Sequence, residues 1–329
     1  MCVLPSGSIR HEKGIQVIVS VVPGTVDLPA ETLRLAVSAV SDAAGREENQ
    51  DIALAIVIGA GAVTGGGEDF LLVVADGMGG EPAGDVASQI AVNALRDAFP
   101  ELPEGDLGQA LKQAYRKAND AVARAGIEEP AYAGMGTTLT SALLHGKYAT
   151  IANVGDSRAY LLRGDGLTQI TRDHTFVADE MAKGRISADA ARNHPRRNIL
   201  TQVIGTAPKL DSSLPSIFEL TLLPGDRLLL CSDGLYDPLD EVDIRRTLRG
   251  QEPDAAAGAL VALAKERGTR DNASAVVAAA FPTRVPAPGT LPGEASRTGG
   301  VPGTMVAAAI SVLLILVLIL AVYFLVMQR

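Results

Sequence analysis

Residues 139–166 read LTSALLHGKYATIANVGDSRAYLLRGDG. Three short runs rich in Leu, Ile, Val and Tyr, at 139–144, 148–154 and 159–163, are separated by His145-Gly146-Lys147 and by residues 155–158. A parallel crossover needs a dozen or more residues, so connections this short predict antiparallel neighbours. Gly164-Asp165-Gly166 is a further tight-turn signal.

The same grammar extends outward. Strand-like runs lie upstream at 33–40, 52–58 and 70–75, and downstream at 218–222, 227–231 and 273–280. Residues 17–22 read as an extra edge strand. Helical periodicity occupies 84–99, 107–125 and 253–267, with Pro253 suited to a first helical turn. Strands in hairpins and helices in pairs predict an α+β sandwich rather than a doubly wound nucleotide-binding sheet.

Composition divides the chain further. Residues 1–30 form an N-terminal extension without a functional signature, and 31–282 read as the folded domain. The polar insertion 172–200 has helical character and little apolar content. Residues 283–304 are rich in Pro, Gly and Ser, as linkers are. Residues 305–327 carry no charge, and as a helix they would span about 34 Å, enough for a hydrocarbon layer of about 30 Å. They predict one transmembrane helix. No export leader is legible, so the expected location is the cell membrane, single-pass, with the folded domain on the cytoplasmic side.

A net charge of −9 argues against nucleic-acid binding. The two cysteines, Cys2 and Cys231, have no zinc spacing and offer no disulfide framework. Cys231 ends an apolar run and reads as a buried small residue. The glycines of 59–67 lack the Lys-Ser/Thr of a phosphate-binding loop and read as a hairpin tip.

The chemistry lies in aspartates at strand ends. Asp76 ends FLLVVAD, Asp156 ends ATIANVGD, Asp233 ends RLLLCSD, and Asp271 precedes ASAVVAAA. Asp51 opens another strand. Singly, each is ordinary turn chemistry. In antiparallel pairs the end of one strand and the start of the next share an edge, so together these carboxylates can converge. Such a cluster needs positive charge to stay ionised, and an all-oxygen set suits Mg²⁺ or Mn²⁺. Two such ions lower the pKa of water and clamp a displacement at phosphorus.

In order and spacing these segments resemble the protein phosphatase 2C, or metal-dependent phosphatase, family in its bacterial form. The carrying motifs are RxxNQD at 46–51, VADGMGG at 74–80, GMGTT at 134–138 and VGDSRAY at 154–160. DHT at 173–175, HPxRNxL at 194–200, SDGLYD at 232–237 and RDN at 270–272 complete the series. The resemblance implies two mainly antiparallel sheets flanked by helices, and hydrolysis of phosphoserine and phosphothreonine in proteins phosphorylated by a serine/threonine kinase. It implies that Asp76 bridges two Mn²⁺ or Mg²⁺ ions with the Gly77 carbonyl as a further ligand. Asp233 and Asp271 would hold the first ion, and Asp51 would orient water. Asp156 and Asp237 match the position of a third, looser ion, and Arg46 would grip the substrate phosphate. The insertion 172–200 corresponds to the family's variable flap.

Two positions depart from the pattern. Gln50 stands where many members carry Glu, and supplies less negative charge to the second ion. Met78 stands where animal members carry a His proposed as general acid, and a thioether donates no proton, which leaves that task to water. For His174 a structural hydrogen-bonding role is expected. The competing readings are a silent phosphoprotein-binding adaptor and a small-molecule phosphomonoesterase.

Overall fold

The computed structural model describes residues 10–12, 15–19, 33–58, 68–80 and 83–282. They begin with β1 (Arg10–Glu12), β2 (Ile15–Val19), β3 (Leu33–Asp42), β4 (Asp51–Ile58) and β5 (Asp69–Met78). Helices α1 (Ala83–Ala98) and α2 (Leu107–Glu128) follow. The strands then resume with β6 (Gly136–Thr137), β7 (Leu139–His145), β8 (Tyr148–Val154), β9 (Arg158–Arg163) and β10 (Gly166–Gln169). Two short helices, α3 (Phe176–Ala182) and α4 (Ala188–Arg192), precede β11 (Ser216–Thr221) and β12 (Arg227–Cys231). The described chain closes with α5 (Asp233–Tyr236), α6 (Glu241–Leu248), α7 (Pro253–Glu266) and β13 (Ala273–Pro282).

Two antiparallel sheets result. One runs β1-β2-β3-β13-β12-β9-β10, and the other β11-β8-β7-β5-β4, with β6 paired to β5 off this path. The β7–β8 hairpin pairs His145 with Tyr148, so its turn is Gly146-Lys147, and Gly166 pairs with Arg163 across Gly164-Asp165.

β5 shows no polar alternation from Phe70 to Ala75 because both of its faces are covered. Phe70, Leu72 and Val74 point into the core between the sheets, with Ala53, Leu144, Leu228 and Val276. Leu71, Val73 and Ala75 point the other way, onto Ala87, Leu95, Leu111 and Tyr115 of α1 and α2. On the outer face of the other sheet, Leu229 and Val277 meet Leu248 of α6 and Leu260 of α7. The order is helices, sheet, sheet, helices. A core leucine here, such as Leu72 at 0% exposure, stabilises by about 1.5–3 kcal/mol through burial alone.

The expected strands and long helices are present, with several ends moved by a residue or a few. Of the edge strand expected at 17–22, residues 17–19 fall in β2, which pairs Val17 with Val40 but is not the edge, because β1 lies outside it; residues 20–22 lie outside the described residues. The insertion 172–200 holds α3 and α4, N-capped by Thr175 and Ser187. Helix α6 was not foreseen; Asp240 caps it by accepting from the Asp243 amide at 2.7 Å. The glycine tip 59–67, the linker 283–304 and the transmembrane span expected at 305–327 lie outside the described residues. Among the described residues no helix is long and apolar enough to cross a membrane.

Candidate metal centre

Register brings the first two aspartates together. Asp51 opens β4 directly opposite Asp76 near the end of β5. From the other sheet, Asp233 follows β12 at the start of α5, and Asp271 precedes β13. Asp156 follows β8. Strand ends of both sheets thus meet at one end of the sandwich, where Arg46, Asp76, Gly77, Asp156, Asp233 and Asp271 line a single cavity of about 1070 Å³. Asp51 is not among the lining residues. It is 4% exposed, and its Oδ2 accepts from Ser232 Oγ at 2.6 Å. Asp237 does not line the cavity either; its partly exposed carboxylate pairs with Arg197 at 3.3 Å.

Backbone contacts hold this arrangement. The amide of Asp76 donates to Thr138 Oγ1 at 2.9 Å, while its carbonyl accepts from the Thr138 amide and from Thr137 Oγ1, both at 2.9 Å. GMGTT is therefore the clamp on Asp76, a role the sequence reading did not assign. Asn272, also without an assigned role, ties down the loop that bears Arg46. Its Nδ2 donates to the carbonyls of Ala43 at 3.0 Å and Glu48 at 2.8 Å, and its Oδ1 accepts from the Gln50 amide at 2.9 Å. Asn and Asp as turn residues were the only available signal for it.

Gly77 is dictated by space. A Cβ there would stand 2.0 Å from the Gly84 carbonyl oxygen in the first turn of α1 and 2.9 Å from the Gln50 carbonyl oxygen. Gly45 is dictated likewise, since a Cβ would lie 2.6 Å from Arg270 Cα. That approach lets Arg46 reach over Asp271, with Nη2 donating to Oδ2 at 2.7 Å and Nε to the Arg270 carbonyl at 3.3 Å.

The carboxylates are electrostatically frustrated. Burial, then repulsion from Asp51, Asp233, Asp156 and Asp271, raises Asp76 well above the usual carboxylate range, although an edge of it reaches the cavity. Burial pushes Asp51 up to about 7, opposed by its hydrogen bond from Ser232. Burial lifts Asp156 to about 8, and burial followed by the charge of Asp271 lifts Asp233 to about 6. Asp233 Oδ1 is buried without a hydrogen-bond donor, and the Asp76 carboxyl lies close enough to lower the Asp233 pKa by hydrogen bonding. Among the described residues, no three His, Cys, Asp or Glu side chains form a ready-made metal cage. An orphaned buried carboxylate oxygen, raised carboxyl pKa values and an all-oxygen donor set nonetheless fit hard divalent cations, which would relieve the first two at once.

The remaining candidates have other employment. His174 Nδ1 accepts from the Gly155 amide at 3.2 Å and Nε2 meets Ser216 Oγ at 3.1 Å, while burial lowers its pKa. Cys231 is fully buried and pushed up to about 12, which makes it a poor nucleophile.

Known proteins share this architecture. PstP of Mycobacterium tuberculosis, a serine/threonine protein phosphatase, is 42% identical over 208 residues, which is 63% of this chain and 40% of PstP. The chain thus matches well under half of that relative's length. The serine/threonine phosphatase stp of Listeria monocytogenes is 37% identical over 61% of this chain and 81% of its own. The crystal structure of the PstP catalytic domain in complex with two manganese ions superposes with a TM-score of 0.65 at 38% identity, covering 76% of this chain and all of that one. The sequence pattern described as protein phosphatase 2C matches residues 42–262, well over half of the chain and all of the segment from Asp42 to α7 that carries Arg46, Asp51, Asp76, Asp156, Asp233 and Asp237. On that span, and on the sandwich whose strand ends gather these carboxylates, the chain belongs to the protein phosphatase 2C family.

Proposed function

We propose that this chain hydrolyses phosphoserine and phosphothreonine monoesters in proteins, with Asp76, Asp233, Asp271 and the Gly77 carbonyl holding two Mn²⁺ or Mg²⁺ ions. Asp156 and Asp237 serve a third, looser position, and Asp237 must first leave Arg197. Such ions, when bound, supply positive charge for the phosphoryl oxygens and lower the pKa of water. The observation that carries this reading is Asp233 Oδ1, buried and donorless on the cavity wall beside Asp76.

The chain's own groups do the rest. Arg46 presents a planar fork to the phosphate, and at 52% exposure its pairing with Asp271 is exchangeable for a substrate oxygen. Asp51, held by Ser232, orients water from behind the cavity wall. Neither Met78, a thioether, nor His174, engaged at both ring nitrogens, donates a proton to the leaving alkoxide, so water does. The substrates are the products of a serine/threonine kinase. Residues 305–327 would anchor the enzyme in the cell membrane with the phosphatase domain cytoplasmic, a reading that rests on their uncharged sequence. A chain ending at Pro282 should then be soluble and active.

Phosphate release from phosphothreonine and phosphotyrosine peptides tests the activity. Turnover of the phosphothreonine peptide with Mn²⁺, abolished by chelator, is expected. Equal turnover in excess chelator would sink the reading.

A further inference from the structure

The cavity, at about 1070 Å³, is far larger than a phosphate group. Beyond the carboxylate end it is walled by residues of the segment 198–211. This wall is built rather than loose. Asn119, 0% exposed, donates to the Ala207 carbonyl at 3.1 Å and accepts from the Gly205 amide at 2.9 Å. Thr137 and Ile204 exchange backbone hydrogen bonds of 3.1 and 3.0 Å.

Two cations line the cavity, Arg46 and Lys209. Arg46 pairs with Asp271 and is assigned to the phosphate. Lys209 is exposed and makes no ion pair or side-chain hydrogen bond among the described residues. Most cations of the neighbouring insertion are engaged in this structure, Arg172 by Asp179, Lys183 and Arg185 by Glu180, Arg196 over the Phe176 ring and Arg197 by Asp237, and none of these cations lines the cavity. The acidic residue next but one to Lys209, Asp211, is occupied by the amide and hydroxyl of Ser213 at 2.8 and 2.6 Å. A protein of net charge −9 thus holds one uncommitted ammonium on a rigid wall of its acidic cavity.

We propose that Lys209 receives an anionic group, a carboxylate or a second phosphate, carried by the substrate near its phosphorylated residue. The enzyme then favours acidic phosphopeptides that its own charge would otherwise repel. This rests on the hydrolytic reading above. An exposed ion pair of this kind changes kcat/KM about two- to fivefold, and salt screens it.

The test uses phosphothreonine peptides with Glu, Gln or Lys scanned through the flanking positions, and a parallel set with a second phosphothreonine. Wild type, Lys209→Gln and Lys209→Glu are compared by the ratio of kcat/KM between peptides, each enzyme being normalised to its own turnover of p-nitrophenyl phosphate. Wild type should prefer Glu over Gln at one position by about two- to fivefold. Lys209→Gln should lose that preference, and Lys209→Glu should favour the Lys peptide instead. The set with the larger Lys209-dependent ratio identifies the anion as carboxylate or phosphate. Identical ratios in all three enzymes, with Mn²⁺-dependent hydrolysis of p-nitrophenyl phosphate intact, would overturn the Lys209 subsite alone. Failure of wild type to hydrolyse any substrate would overturn the hydrolytic reading and the subsite with it.

Discussion

Metal-free protein should lose stability as pH rises, and Asp156 makes the effect measurable. The residue is 8% exposed, and burial raises its pKa from 3.8 to about 8, with the charges of Asp233 and Asp173 adding to the shift. Below pH 3.8 the carboxyl is neutral in both folded and unfolded chains and contributes nothing. Between 3.8 and about 8 the folded chain holds a proton that the unfolded chain has released, so stability falls with pH across that window. From pH 5 to pH 8 the fall spans about 3 pK units, or about 4 kcal/mol. For a domain of this size that corresponds to a drop of about 8–16 °C in Tm. Asn is neutral at every pH, so thermal melts of chelated wild type and Asp156→Asn should converge near pH 4 and separate by about that amount between pH 5 and pH 8. Parallel curves for the two proteins would refute the reasoning. Saturating Mn²⁺ should reverse the slope for wild type, because ions take the deprotonated carboxylates.

Three further outcomes follow from the geometry. Arg46→Ala removes a charged hydrogen-bonding partner worth about 1.5–3 kcal/mol, so KM should rise tenfold or more with a smaller loss in kcat; unchanged steady-state kinetics would exclude Arg46 from phosphate binding. Gly77→Ala places a methyl 2.0 Å from the Gly84 carbonyl oxygen, so Mn²⁺ affinity by calorimetry should fall sharply and Tm with it, whereas native affinity would contradict the close packing on α1. Ser232→Ala deletes the 2.6 Å bond that lowers the Asp51 pKa, so in chelated protein Asp51 should titrate above about 7 when its carboxyl is followed by NMR; a titration identical to wild type would contradict the role of that bond.

Much of this molecule is legible in its sequence because its turns are short. Gly146-Lys147 and Gly164-Asp165 permit only hairpins, and Asp156 falls in the short connection from β8 to β9, while Asp76, Asp233 and Asp271 are legible as the ends or approaches of apolar runs. Which of those ends share a cavity is not local information. It depends on two sheets stacking, and it separates Asp76, Asp156, Asp233 and Asp271, which line the cavity, from Asp51, buried behind the wall, and from Asp237, paired with Arg197. The polar clamps were illegible for the same reason. Asn272 reaches across more than two hundred residues to Ala43 and Glu48, and Thr137 and Thr138 grip the backbone of Asp76 some sixty residues before them. Lys209 looks like any surface lysine until the cavity it lines is seen. Helix α6 escaped notice because its eight residues carry four charges, Glu241, Asp243, Arg245 and Arg246, and its burial rests on Ile244, Thr247 and Leu248.

The central claim is that the converging aspartates become catalytic only when divalent ions neutralise them. The most direct measurement is a titration of metal-stripped protein with Mn²⁺ in which bound ions per chain and phosphothreonine-peptide turnover are read from the same samples, for wild type and for Asp233→Asn. Wild type should gain turnover in step with binding of two ions, and Asp233→Asn should bind fewer or weaker ions and stay nearly inactive while still melting cooperatively. Full turnover before any Mn²⁺ is bound, or undiminished turnover in Asp233→Asn, would contradict the account.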